Sequence, residues 1–136
     1  MMNLSSYLDA TILDPKASSK EYEQLCEYAM KFNVAAICVP PFQVQYCKER
    51  ILKSNVKLAT VVGFPAGYQT IPTKILELRE MISKGADEID YVIHRGYLSN
   101  NDFENINLSR NQLTKIPSQF ITFSQIKTKD KLSGNV

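Results

Sequence analysis

The sequence is short of several things at once, and each shortage closes off a class of function. Sixteen basic residues against fourteen acidic ones leave a net charge of only +2. No basic block is dense enough to follow a phosphate backbone, so nucleic acid is not an expected partner. No apolar run approaches the roughly 20 residues of a membrane span. The opening "MMNLSSYLDA" has neither a charged leader nor a long apolar segment, so it does not read as a secretory signal. Only three cysteines occur, Cys26, Cys38 and Cys47, with no CxxC pair and no metal-ligand spacing. Such a scattered, odd set points to reduced thiols in the cytoplasm. There is one histidine, His94. No strand is followed by GxGxxG or GxxxxGK[ST], which weakens a Rossmann or P-loop reading.

What remains is ample for a packed domain: 136 residues, 44% of them hydrophobic. Ser18 and Glu21 form a capping box, predicting a helix whose Tyr22, Leu25, Cys26, Ala29 and Phe32 recur at helical spacing. Asn33 can close it in a left-handed conformation. "VAAICV", Val34 to Val39, reads as a strand stopped by Pro40-Pro41. A second helix is expected from Phe42, with Val44, Cys47, Ile51 and Leu52 on one face. "KLATVV" is the next strand. A third helix holds Pro72 in its first turn, shows Ile75, Leu78, Arg79 and Ile82 on one side, and ends at Gly85. "EIDYVI", Glu88 to Ile93, is a further strand. Upstream, "YLDATIL" is a candidate first strand with a short helical approach. Strands alternating with helices imply parallel pairing through right-handed crossovers. Four such units are about half of a (βα)8 barrel, which normally takes ~250 residues. After Asn105 neither period persists, although "QFITF" could form a strand. The expected division is therefore residues 1–105 as the half barrel and 106–136 as a weakly structured tail.

Few residues break the apolar pattern in a way that suggests chemistry. Asp90 lies inside a strand between Ile89 and Tyr91, where a carboxylate is costly unless it is paired or has a task. The plainer alternative is a strand-end acid bonding a neighbouring loop. Asp9 is a second acid in an apolar stretch, with Thr11 on the same strand face; it could equally cap a helix. Cys38, between Ile37 and Val39, packs as a small hydrophobe on its plainest reading. His94 sits at a strand end, where a surface or supporting role is the commoner one. The turn "GFPAG", Gly63 to Gly67, follows the third strand at the end where parallel α/β folds place ligands. A packing turn that only launches the next helix is the alternative.

Four blocks together, "LDATIL", "AAICVPP", "TVVGFPAGYQT" and "GADEIDYVI", resemble deoxyribose-phosphate aldolase in order and interval, from about Leu4 to Asn105. The resemblance implies a (βα)8 barrel that cleaves 2-deoxy-D-ribose 5-phosphate to glyceraldehyde 3-phosphate and acetaldehyde through a lysine Schiff base, with no metal or other cofactor. It implies a proton-relay role for Asp90, substrate-pocket positions for Asp9, Thr11 and Cys38, and a place at the catalytic mouth for the "GFPAGYQT" loop. Two departures stand out: Ala10 where the family usually has histidine, and His94 where asparagine is common.

The family's Schiff-base lysine lies on its sixth strand, and this chain is expected to end before it. The lysines of the present sequence fall in turns, on helices or at the start of a strand. None is expected in a place that would depress its amine. Lys127, in "QIKTKDK", only faintly matches the family's Lys-Thr. The leading expectation is a truncated or frameshifted family member, inactive alone. One alternative is an active aldolase with a complementing half or a recruited lysine; another is a non-catalytic sugar-phosphate-binding or scaffold module. Open sheet edges would favour self-association into a homo-oligomer.

Overall fold

The computed structural model describes residues 4–113, 115, 116, 121 and 122. A 3-10 turn, Leu4–Tyr7, leads into β1, Asp9–Thr11. Then follow α1 (Ser19–Phe32), β2 (Ala36–Val39), α2 (Val44–Ile51), β3 (Lys57–Val62), α3 (Ile71–Ser83) and β4 (Glu88–Tyr91). Beyond β4 come α4 (Arg95–Ser99), α5 (Phe103–Leu113) and a two-residue strand, β5 (Ile121–Thr122). All strand pairs are parallel, in the order β1-β2-β3-β4-β5. A doubly wound sheet reverses its strand order part-way. Among the described residues this one never reverses, so it winds in one direction as the strands of a parallel barrel do.

Local signals act where the sequence places them. Ser18 Oγ accepts from the Glu21 amide, and the Ser18 amide donates to the Glu21 carboxylate at 2.7 Å. Asn33 closes α1 at φ 50°. Replacing Ser18 with alanine removes one half of this box and should cost about 1 kcal/mol. Urea denaturation should show a lower midpoint at unchanged slope.

The main core lies between the sheet and the helices. Ile37, Val39, Leu58, Val62, Ile89 and Tyr91 point into it from the strands. Tyr22, Cys26, Val44, Cys47, Leu78 and Met81 meet them from the helices. Alternation along each strand sends Ala36, Cys38, Ala59 and Val61 to the opposite face, where they form a second, small-residue cluster.

Several expectations are corrected. Phe32 and Leu52 are exposed, at 56% and 68%: Phe32 is the last residue of α1, and Leu52 is the residue that caps α2. Phe32 stacks on Tyr28 instead. On α3 Leu78 is buried and Ile75 and Ile82 pack part-buried against the core as expected, but Arg79 is exposed and the fully buried stripe is completed by Lys74 and Met81. A lysine at a core position carries no apolar signal, so its place in the stripe was invisible by periodicity. Helical structure continues past residue 105 in α5, and Leu113 and Ile116 belong to the core; most residues of the expected tail lie outside the described ones. The Tyr91 hydroxyl meets Ser109 Oγ at 2.9 Å and ties α5 to β4. Part of "QFITF" does join the sheet as β5. Lys127 lies outside the described residues.

Candidate active site

The face of the sheet turned away from the helices carries the singular acids. Thr11 pairs with Cys38, Cys38 with Ala59, and Val61 with Asp90 across the ladders. With a side-chain period of two, Asp9, Thr11, Cys38 and Asp90 share that face. Three acids stand close together on β4 and just before it, and only one is unengaged. Asp87 accepts from Lys48 Nζ at 2.6 Å and from the Leu58 amide at 2.8 Å, pinning the amino end of β4. Glu88 pairs with Lys57 at 3.1 Å. Asp90 takes part in no ion pair among the described residues.

Its environment shows in its acidity. Burial pushes the Asp90 carboxyl above the usual carboxylate range, and the charges of Asp9 and Glu88 push it the same way. The Cys38 thiol is pushed up to about 12, first by burial, then by Asp90 and Asp9. Cys38 is therefore a thiol at neutral pH, a weak hydrogen-bond donor and not a nucleophile. Asp90, holding its proton more tightly than a surface acid, is suited to carry one to and from a neighbour. Asp9 and Thr11 are exposed on the edge strand β1.

The loop that follows β3 is held down at three points. The Gly63 amide donates to Glu77 at 2.9 Å, and the Gly67 amide donates to the Gly63 carbonyl at 2.8 Å. Gly67 lies so close to β4's exit that a Cβ there would sit 2.1 Å from the Ile93 carbonyl oxygen. The loop is thus fixed at the carboxyl end of β3 and β4, the ligand-binding end of a parallel barrel. The Phe64–Pro65 bond is cis.

Lys74 is the residue that sequence reasoning missed. It is 2% exposed, and its Nζ donates to the Val92 carbonyl at 2.8 Å. Burial draws its amine down to about 8, with Glu77 opposing the shift. The expectation that no lysine here has a depressed amine is therefore corrected. Lys74 nonetheless sits on the helix side, 5.2 Å from the centre of the Tyr91 ring, while Asp90 faces the other way. Among the described strand residues, the lysine on the Asp90 face is Lys57, at the amino end of β3, largely exposed and ion-paired. His94 caps α4: its Nδ1 accepts from the Tyr97 amide and its ring stacks on Tyr97 at 4.2 Å. Among the described residues no cluster of His, Cys, Asp or Glu could hold a metal, and no helix is long and apolar enough to cross a membrane.

No family model matches the chain. Individual proteins do. A deoxyribose-phosphate aldolase of Caldicellulosiruptor saccharolyticus is 38% identical over 139 residues, covering 96% of this chain and 63% of that protein. Its counterpart in Staphylococcus saprophyticus is 40% identical over 105 residues, covering 77% and 48%. The chain is homologous to the deoxyribose-phosphate aldolases. Among solved structures, deoxyribose phosphate aldolase from Aeropyrum pernix, described as having a unique tetrameric structure, superimposes with a TM-score of 0.74 at 27% identity. That match covers 83% of this chain and 47% of the other. The aldolase QR15 matches with a TM-score of 0.81 at 25% identity, covering 89% and 54%. The chain thus spans about half to three-fifths of the length of the relatives it matches. Homology and fold agree with the resemblance in the four sequence blocks.

Proposed function

We propose that the chain supplies the acid–base wall of a deoxyribose-phosphate aldolase site, whose substrate is 2-deoxy-D-ribose 5-phosphate. Asp90 is the proton carrier of that site. Asp9, Thr11 and Cys38 line the sugar-phosphate pocket, and the loop from Gly63 to Gly67 forms its rim. The observation that carries the reading is the solitary, half-buried Asp90 on a face shared with Cys38 and Asp9, its proton affinity raised by burial and by Asp9. Retro-aldol cleavage needs two things: an amine that forms an imine with the sugar, and an acid–base group that removes and returns protons. The described residues supply the second. They place no neutral amine opposite Asp90, since the one depressed lysine lies behind the sheet. The imine-forming lysine has to come from outside the described residues. The setting we propose is cytoplasmic, in keeping with three unpaired cysteines. Self-association would proceed through the edges at β1 and β5.

Two measurements test this. Titrating 2-deoxyribose 5-phosphate into the isotope-labelled chain should shift the amide signals of Asp9–Thr11, Ile37–Val39 and Asp90. Shifts confined to the helix face, or none, would sink the reading. Acetaldehyde with borohydride, followed by peptide mapping, should label the lysines slowly and without a single stoichiometric site. Exposed amines with pKa near ~10.4 are almost wholly protonated at pH 7, and Lys74 is closed in. Rapid labelling at one lysine would restore the alternative of a chain that is active unaided.

A further inference from the structure

The buried ammonium of Lys74 is not used by the chemistry proposed above, yet the surrounding structure is built around it. Its stem runs beneath Gly63, where a Cβ would lie 2.9 Å from the Lys74 Cε. Its Nζ reaches the Val92 carbonyl, two residues beyond Asp90, while the Val92 amide donates to Val62. On α3, one turn further along, Glu77 holds the Gly63 amide. One helix turn thus grips both the start of the loop and the end of β4. Beside the ammonium lies a cavity of about 20 Å³, lined by Gln69, His94, Tyr97 and Ser109, and the Gln69 Oε1 there is buried without a partner among the described residues.

We propose that Lys74 is a positioning residue for the Asp90 face: by clamping the Val92 carbonyl to α3 beneath Gly63, it sets the end of β4 against the loop that rims the site. The proposal rests on the aldolase reading of that face. The physical ground is that a charged donor on a buried carbonyl is about twice as strong as a neutral one. The clamp is therefore tightest while Lys74 holds its proton and weaker once the amine is neutral, near pH 8. The titratable groups facing it are Glu77 on α3, Tyr91 on β4, and His94 and Tyr97 beyond β4.

Coupling of this kind is reciprocal: if Lys74 sets the site, occupancy of the site must alter Lys74's affinity for its proton. The test follows the Lys74 Cε signal by NMR from pH 6 to 10, first in the free chain and then with saturating 2-deoxyribose 5-phosphate. The expected result is a displacement of about 0.5 pH unit or more, roughly a threefold change in proton affinity. An unmoved Lys74 titration, with the Asp9 and Asp90 amides responding to the sugar phosphate, overturns the proposal and leaves the aldolase reading intact. If those amides do not respond, the reading falls and the proposal with it. Lys74→Met keeps the length and removes the donor. It should weaken sugar-phosphate binding about threefold or more and flatten its pH dependence near 8. Unchanged affinity and an unchanged pH profile would contradict the proposal. Should that variant not fold, the titration of the unaltered chain decides alone.

Discussion

Gly67→Ala should lower the melting temperature by about 10 °C, the largest stability loss expected from so small a change. Two effects add. Gly67 has φ +72°, a left-handed conformation that costs a residue with a Cβ about 1–2 kcal/mol. The new carbon would also lie 2.1 Å from the Ile93 carbonyl oxygen, and backbone cannot yield as a side chain can. Overpacking of that kind adds roughly 1–3 kcal/mol. Gly63→Ala is the control. It has nearly the same φ, +69°, but its Cβ meets only the flexible stem of Lys74, so it should lose about half as much. Calorimetry on the two variants checks the ordering. Equal losses would mean that backbone strain alone matters and that the approach to Ile93 does not. Because the Gly67 loop rims the proposed pocket, its displacement should also weaken sugar-phosphate binding.

Asp90→Asn should do opposite things to stability and to chemistry. The folded chain holds the Asp90 proton to a higher pH than the unfolded chain does, through burial first and then Asp9 and Glu88. The folded state therefore binds more protons from the unfolded value of about 3.9 up to the raised one, and stability falls as pH rises through that window. At neutral pH the whole penalty stands. Asparagine, which cannot ionise, removes it. The variant should melt higher than the natural chain at pH 7, and its advantage should shrink toward pH 3. The Cys38 thiol, freed of one of the two charges that raise it, should become more reactive toward alkylating agents in alkaline solution. The cleavage rate, measured wherever the site has its Schiff-base amine, should drop about 10²–10⁴-fold, the usual worth of a positioned proton carrier. A variant less stable at pH 7 would show that Asp90 is held by favourable contacts and is a structural acid. Such a gain in stability on loss of function is the common mark of a site residue.

Much of this was legible in the residues themselves. The capping box at Ser18 and Glu21, the left-handed Asn33 and the strand Lys57–Val62 all depend on interactions within a few positions of the chain, and the order of strands and helices follows from period alone. Asp90 stood out because a carboxylate between Ile89 and Tyr91, inside a strand, breaks a pattern. Lys74 could not be read that way. Its burial depends on Gly63 lacking a side chain and on the Val92 carbonyl, eighteen residues away, offering an acceptor. The same holds for Gly67, whose need for glycine comes from a strand end twenty-six positions on, and for α5, whose weak period is completed by Leu113 in a core formed elsewhere. Local hydrogen bonds and periodicity are properties of a short stretch, so the sequence by itself determined the elements, their parallel order and the singular position of Asp90. Which lysine is buried, which glycine bears a neighbour's backbone and where the last helix docks are set by atoms distant along the chain. Only the tertiary structure decided those.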